Sequence, residues 1–447
     1  MSPAPETGNL STATTLLADR SQADHSQQGP VPCRKLGSFA LLFAFAWFSS
    51  AYRLAKSPPA FGAYFETLNV SLTLAQTGQF ANPFTAAATG PTAHVAPLYP
   101  LFLAGLMKLF GLGVGLLLAV ELSILVVFAL HAALLPAVSG LLFGVRLPGI
   151  CAGAAAAVLP LFRISSNDNS VPLGVGLMLF LLATEKAVKE FGSLRGGMVS
   201  GCLGGLLLLL NPQAVIVVLI WASRLAFFRV PGRRKRIGFA CALLSGLVLT
   251  CTPWTVRNYR TLGSLIFVRD NLGIELAMSN HDLAAPTLLG NLRNGSMSKM
   301  HPNFDRRQAN LVAERGEVQY NRDLLASAAM WCVHKPGPFL RLTLARIWMF
   351  WFPMPMPGGY EYSLRFVTAL SFIGWIAAVQ RKERDSWTLG AILLLYPAVY
   401  YVTQADTRYR YPIVWVSLLL AGYIANGAVN SPVIRSLWNR RKSLVGQ

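Results

Sequence analysis

At 447 residues, with 53% hydrophobic and 13% charged, the chain carries too little charge for soluble domains, which hold about 25% charged residues. Its formal net charge of +20 falls in short clusters between apolar runs. That distribution argues against a nucleic-acid partner and for basic loops that meet anionic lipid. The six cysteines, Cys33, Cys151, Cys202, Cys241, Cys251 and Cys332, have neither metal-site spacing nor the look of a disulfide framework, and read as small apolar residues.

In chain order, residues 1–35 are rich in Ser, Thr, Pro and Gln and read as a disordered tail. The first apolar run, Leu36 to Tyr52, follows Arg34 and Lys35. Its Ser49-Ser50-Ala51 step would suit a signal-peptide cleavage site, but the long polar tail before it favours a retained span. Further spans are expected at 114–143, 148–162, 170–187, 197–210, 213–229, 237–255, 364–380, 387–402 and 411–428. Two short, Pro-bounded apolar stretches, 97–110 and 339–352, contain Lys108, Arg341 and Arg346 and read as helices lying in the interface. The small-residue spacing Gly197-x-x-x-Gly201-x-x-x-Gly205 predicts close helix packing.

With an inside N-terminus and ten alternating spans, every short basic cluster lands on one side. These are Arg146; Lys186, Lys189 and Arg195; Arg229 with Arg233-Arg234-Lys235-Arg236; Arg381, Lys382 and Arg384; and a basic tail at 429–447. Counting 97–110 as a further span would break this pattern. The expectation is an all-α polytopic membrane protein with about ten spans, both termini cytoplasmic and a membrane domain over 36–428. Two large segments, 53–113 and 256–363, then lie outside.

The residues that could carry chemistry are on that outer side. Glu66 is the one acidic residue between Lys56 and Lys108, on a stretch with helical apolar spacing at Leu68, Leu72 and Ala75. A carboxylate held at a membrane surface can act as a general base; on composition alone a solvated loop glutamate is the simpler account. His94 could donate to a phosphate or a sugar, or be inert. Tyr99 lies in the Pro97-Leu98-Tyr99-Pro100 entry to an interfacial helix. Asp168 is a second outer carboxylate. Arg257 and Arg260, three apart after Trp254, could clamp a lipid phosphate through their forked donors or simply anchor the span. Arg408, Tyr409 and Arg410 form a second Arg/Tyr cluster.

At these residues the chain resembles the GT-C superfamily of polytopic glycosyltransferases. It looks closest to the bacterial branch related to protein O-mannosyltransferases and the lipid A aminoarabinose transferase. The carriers, in order, are Glu66; Gly78-Gln79-Phe80; Ala96-Pro97-Leu98-Tyr99-Pro100; Pro253-Trp254-Thr255-Val256-Arg257-Asn258-Tyr259; Asn271-Leu272-Gly273; His301-Pro302; Gly316-Glu317-Val318-Gln319-Tyr320; and Arg408-Tyr409-Arg410-Tyr411-Pro412. The resemblance implies a GT-C-like helix bundle in a bacterial inner membrane. It implies a polyprenyl-phosphate-linked sugar as donor and an envelope protein, lipid or polysaccharide as acceptor. Glu66 would be the catalytic base, and His94, Tyr99, Asp168, Arg257, Arg260, Arg408, Tyr409 and Arg410 are the substrate-binding candidates. Family members often have a second carboxylate two residues after the first; Leu68 stands there in this chain. No metal ligand is therefore assigned, and a divalent cation has no support from the sequence. Two other classes stay open: a lipid-linked-sugar transporter or flippase, and an O-antigen polymerase or ligase.

Overall fold

The computed structural model describes residues 33–56, 66–162, 169–355 and 359–429. The expected tails, from 1–32 and from 430 onward, lie outside the described residues, and so does Asp168. Among the described residues the chain is helical, and β structure is limited to two isolated bridges, Ala81 with Pro91 and Thr287 with Ala405. A helix satisfies its backbone groups within its own segment, which hydrocarbon requires.

Among the described residues five helices are long and apolar enough to cross a membrane. They are Gly37–Lys56 within α1 (Cys33–Lys56), Val114–Phe143 (α4), Ser170–Leu210 (α6), Arg233–Leu262 (α8) and Tyr360–Gln380 (α15). Shorter apolar helices are Leu98–Phe110 (α3), Leu147–Val158 (α5), Ala214–Phe228 (α7) and Ser386–Leu395 (α16), the last running on into Ala398–Val402 (α17). The chain is thus a multi-pass, all-α membrane protein. At 1.5 Å per residue the 13 residues of α3 reach about 20 Å, short of the roughly 30 Å of hydrocarbon.

The helix assigned over Ser170–Leu210 is two antiparallel helices. Gly192 interrupts it with φ 77°, a conformation that costs glycine nothing. The two ends meet again where Asn169 Nδ2 donates to Leu210 O at 2.7 Å. The separate runs 170–187 and 197–210 read from the sequence are the arms of this hairpin. Its second arm packs on α8 through glycine: a Cβ on Gly201 would stand 2.0 Å from the Leu243 carbonyl oxygen.

The centre of the bundle is Val414–Val429 (α18), whose Val414, Trp415, Val416, Leu418, Leu419 and Leu420 are all buried. A helix apolar on every side belongs inside; here α5 and α15 pack around it. At the Gly192 end of the bundle Arg224 of α7 is bidentate to Asp385, with Nε–Oδ1 at 2.8 Å and Nη2–Oδ2 at 2.9 Å, and also meets Glu185. This buried ion group joins α6, α7 and the start of α16. Removing one member would leave unpaired buried charge.

Over the other end of the bundle lies a second layer. Glu66–Thr77 (α2) lays Leu68, Leu72 and Ala75 against Tyr99, Leu103 and Met107 of α3. Leu272–Ser279 (α9), Leu288–Arg293 (α10), Ser296–Met300 (α11), Arg306–Arg315 (α12) and Glu317–His334 (α13) follow, with a core that includes Phe84, Ile274, Met278, Val312 and Tyr320. Pro336–Trp351 (α14) exposes Leu340, Leu344 and Trp348 and buries Arg346, which donates to Asn280 Oδ1 and Val402 O, each at 3.1 Å.

Gly201→Leu should lower the melting temperature of the detergent-solubilised protein, at an overpacking cost of about 1–3 kcal/mol. Melting that is unchanged would mean that α6 and α8 do not meet this closely.

Candidate functional site

The site is built on the backbone between α2 and α3. Gly78, at φ 76°, ends α2. Asn82 then folds the chain into a tight loop, its side-chain oxygen accepting from the amides of Thr89 and Gly90 at 3.0 and 2.9 Å. The returning segment, Thr92 to Val95, is buried and held from three directions. Arg257 of α8 donates to Thr92 O at 2.6 Å and to Phe80 O at 2.7 Å, its guanidinium against the Phe80 and Trp254 rings. Arg269 Nε donates to His94 O at 2.6 Å, and the Asp270 amide donates to Ala93 O at 2.9 Å. Glu317, at the start of α13, accepts from the Thr92 hydroxyl and from the Ala93 amide.

These struts enclose a cavity of about 460 Å³ between the outer layer and the bundle. Glu66, at the first turn of α2, faces into it, with Oε1 3.8 Å from His301 Nε2. Arg269 and Arg408 reach the same space and act on the Glu66 charge. Tyr409 also lines it, stacked flat on Tyr400 with ring centroids 4.2 Å apart. Asn169 and Asn211, from the open end of the α6 hairpin, add amide groups to the wall. A second carboxylate, Glu275, accepts from Asn271 Nδ2 at 3.1 Å and from Gln404 Nε2 at 3.4 Å. Tyr99 and Leu210 are shared with an adjoining apolar cavity of about 270 Å³, lined by Phe102, Val120, Ile124 and Phe128 among others.

Burial raises the pKa of the Glu66 carboxyl, opposed by its own backbone hydrogen bond and by the charges of Arg408 and Arg269. The same burial holds both cavity histidines neutral. His94 lies well below the usual histidine range, with Arg269 and His301 adding to the effect, and His301 falls to about 4. Among the described residues the cavity therefore presents two guanidiniums, two carboxylates and two uncharged imidazoles. Among the described residues no three or more His, Cys, Asp or Glu side chains converge as a metal-ligand set.

Of the residues singled out in the sequence, Glu66, His94, Tyr99, Arg408 and Tyr409 line this one cavity. The other arginines do not reach it. Arg257 spends its donors on the backbone carbonyls that shape the loop. Arg260 is exposed near the end of α8. Arg410 is buried, donating to Trp351 O at 3.1 Å beneath the Trp351 ring. Thr407–Ile413 is a 3-10 helix with about three residues per turn, so Arg408 and Arg410, two residues apart, leave it about 120° from each other. Residues that sequence reasoning left unassigned are Arg269, Glu275, His301, Gln404 and Tyr400. Arg269 precedes the quoted Asn271-Leu272-Gly273 by two residues, and His301 opens His301-Pro302. Glu275 and Gln404 carry no spacing signal.

Burial pushes the Glu317 carboxyl up to about 7, and the neighbouring Asp270 charge adds to this; burial also raises Asp270 to about 6. Each then holds a proton in the fold at a pH where the unfolded chain has released it. Their contribution to stability is full at low pH and is lost as pH rises through about 6 and 7. Thermal melting followed from pH 5 to 8 should decline over that window (roughly the reach of the two titrations), and Glu317→Gln should flatten the decline. An undiminished slope in the variant would show that another group is responsible.

No protein-family model matches the chain, and no curated protein sequence does. Among solved structures it is similar to the archaeal oligosaccharyltransferase AglB from Archaeoglobus fulgidus in complex with an inhibitory peptide and a dolichol-phosphate, with a TM-score of 0.54 and 13% identity over 90% of this chain and 52% of that one. It is also similar to the Archaeoglobus fulgidus oligosaccharyltransferase in complex with Zn and sulfate, with a TM-score of 0.53 and 12% identity over 90% of this chain and 51% of that one. The chain spans about half the length of these proteins. At this level of identity the likeness concerns the fold, which is GT-C-like, as the ordered motifs lead one to expect.

Proposed function

We propose that this protein is a membrane glycosyltransferase that moves a sugar from a polyprenyl-phosphate carrier to an envelope acceptor, with Glu66 as general base. The observation that carries this reading is the meeting of Glu66 with Arg269 and Arg408 in one cavity that opens beside an apolar one. The likeness to an oligosaccharyltransferase solved with a dolichol-phosphate supports the donor class.

In this reading Glu66 takes the proton of the acceptor hydroxyl as that oxygen attacks the anomeric carbon. The bond from that carbon to the carrier phosphate breaks, and the phosphate leaves with the electron pair. A phosphate is a weak base and needs little protonation, so a single carboxylate serves where a glycosidase uses two. Arg269 and Arg408 stabilise the departing charge in a site shielded from water. Inversion at the sugar carbon follows from the resemblance. Arg408 replaces the broader arginine set expected from sequence, with Arg269 as its partner. The apolar cavity beside Tyr99, with Phe102, Val120 and Phe128 in its wall, takes the first isoprene units of the carrier. Glu275, Gln404 and Asn271 supply hydrogen-bonding groups for sugar hydroxyls.

The charge distribution supports an outward-facing site. The cavity lies at the end of the bundle marked by Asn169 and Leu210, whereas Arg229 and the Arg233–Arg236 run follow α7 at the Gly192 end. By the positive-inside rule the basic end is cytoplasmic and the cavity faces the periplasm of a bacterial inner membrane.

Transfer from a panel of radiolabelled polyprenyl-phosphate sugars in membranes tests the assignment. Glu66→Gln should cut the rate by about 10²–10⁴-fold, the usual worth of a positioned base. Arg269→Ala and Arg408→Ala should raise the donor KM and lower kcat. Equal labelling by Glu66→Gln and wild type at equal expression would remove Glu66 from the role.

A further inference from the structure

Resting on the transferase reading for its kinetic consequence, but not for its geometry, a closed ring of contacts surrounds Glu66. Asn69, three residues along α2, donates through Nδ2 to Pro83 O at 2.8 Å and to Thr85 Oγ1 at 3.1 Å. Thr85 in turn donates its hydroxyl to Asn303 Oδ1 at 3.0 Å and its backbone amide to the same oxygen at 2.9 Å. The Asn303 amide donates to His301 Nδ1 at 3.1 Å, and His301 Nε2 faces Glu66 Oε1 at 3.8 Å. Three chain segments, 66–69, 83–85 and 301–303, are thereby joined, and the ring begins and ends on α2.

The polarity of that ring has a consequence. A backbone amide can only donate, so His301 Nδ1 accepts and carries no proton. In the neutral imidazole the proton is then on Nε2, the nitrogen aimed at Glu66. The imidazole is held in place by the Phe84 and Phe304 rings, both edge-on, with centroids 6.0 and 5.9 Å away. His301 and Asn303 are buried, so bulk water does not compete for the bond between them, while Thr85 at the far side of the ring is exposed. The other charged or titratable groups around the pair are Arg269 and Arg408 near Glu66, and His94 and Glu275 near His301. Among the described residues neither guanidinium comes within 4 Å of the Glu66 carboxylate, whereas the uncharged His301 imidazole does.

The geometry points to His301 as a positioning residue, fixed by the Asn69–Thr85–Asn303 relay as a neutral Nε2–H donor that orients the Glu66 carboxylate toward the acceptor hydroxyl. An orienting donor on a base fixes which oxygen lone pair is free to take the proton, the part the third group plays in nucleophile–base–orienter arrangements. A 3.8 Å separation is closed by a small side-chain rotation when substrate fills the cavity; catalytic hydrogen bonds are often long in the empty site.

The test has two arms. In the full chain in lipid nanodiscs, with 15N-labelled histidine, the His301 signals are assigned by their loss in His301→Gln. At neutral pH His301 should show an unprotonated Nδ1 and a protonated Nε2, and Glu66→Gln should shift the Nε2 resonance. A protonated Nδ1, or an Nε2 signal indifferent to Glu66→Gln, overturns the proposal whether or not the protein transfers sugar. In the transfer assay His301→Phe should lower kcat by on the order of 10-fold or more, within the worth of a positioned acid–base group, at nearly constant donor KM. His301→Gln, which keeps an N–H near the Nε2 position, should recover most of that loss. A His301→Phe enzyme with wild-type kcat overturns the proposal. So does a His301→Gln enzyme as impaired as His301→Phe at equal folded yield, because a role in packing alone would not distinguish an N–H from its absence. If wild type transfers nothing from any donor while the NMR result holds, the reaction is misassigned and the positioning ring stands.

Discussion

The site depends on how the backbone from Phe80 to Val95 is pinned to the bundle. Arg257 is the central pin. Its two terminal nitrogens take carbonyls 12 residues apart in the chain, Phe80 and Thr92, while Trp254 and Phe80 cover its faces. Removing it would strip both carbonyls of a charged donor, leaving Phe80 O with the Thr92 amide at 3.2 Å; a buried polar group left without any partner costs about 1–3 kcal/mol. Arg269 and Glu317 complete the grip on the next two residues. Because this segment is fixed, His94 and the entry to α3 are fixed, and with them the apolar wall that begins at Tyr99. An arginine that looks like a phosphate ligand in the sequence here shapes the cavity wall instead.

The bundle sorts its charges by a similar logic. At the Gly192 end Arg224 meets two carboxylates, and Glu185 meets a second guanidinium in Arg229, so charge is matched at contact distance. In the cavity the matching is looser: among the described residues no guanidinium lies within salt-bridge distance of Glu66, and Glu275 is held by amides. Tightly matched ions are suited to holding helices together. Loosely matched ones retain hydrogen-bonding capacity and field for a ligand, which is the difference between a structural ion group and a binding site.

Much of the helix arrangement was legible in the sequence because it rests on local pattern. The apolar period of Leu68, Leu72 and Ala75 is the face that packs on α3, and the glycine spacing at 197, 201 and 205 is the face that meets α8. The hairpin at Gly192 was visible as two apolar runs with a polar gap. The cavity was only partly legible. Glu66 stood out because its surroundings in sequence hold no other acid, and Arg408 and Tyr409 because Arg and Tyr cluster there. Arg257, Arg260 and Arg410 gave the same signal for other reasons, since interface clustering does not say which way a side chain turns. Arg269, Glu275, His301 and Gln404 come together only through tertiary contacts such as the bridge between Thr287 and Ala405, which ties the long 256–355 segment to the entry of α18. No spacing rule encodes that juxtaposition.

The neutrality of the histidines bears on how good a base the cavity can make. A protonated imidazole beside Glu66 would favour the carboxylate's charged form and weaken its pull on a hydroxyl proton. Burial keeps His94 and His301 uncharged and at the same time raises the Glu66 carboxyl, so one physical cause acts in the same direction on all three groups. The guanidiniums oppose it, and a phosphate bound between them would offset part of that opposition by neutralising their charge. Under the proposed reaction the donor phosphate would therefore strengthen the base it needs: with the carrier absent Glu66 is restrained by Arg269 and Arg408, and with the carrier present those charges turn to the phosphate. Under that reaction, catalytic readiness would be coupled to donor occupancy through electrostatics alone, with no requirement that a helix move.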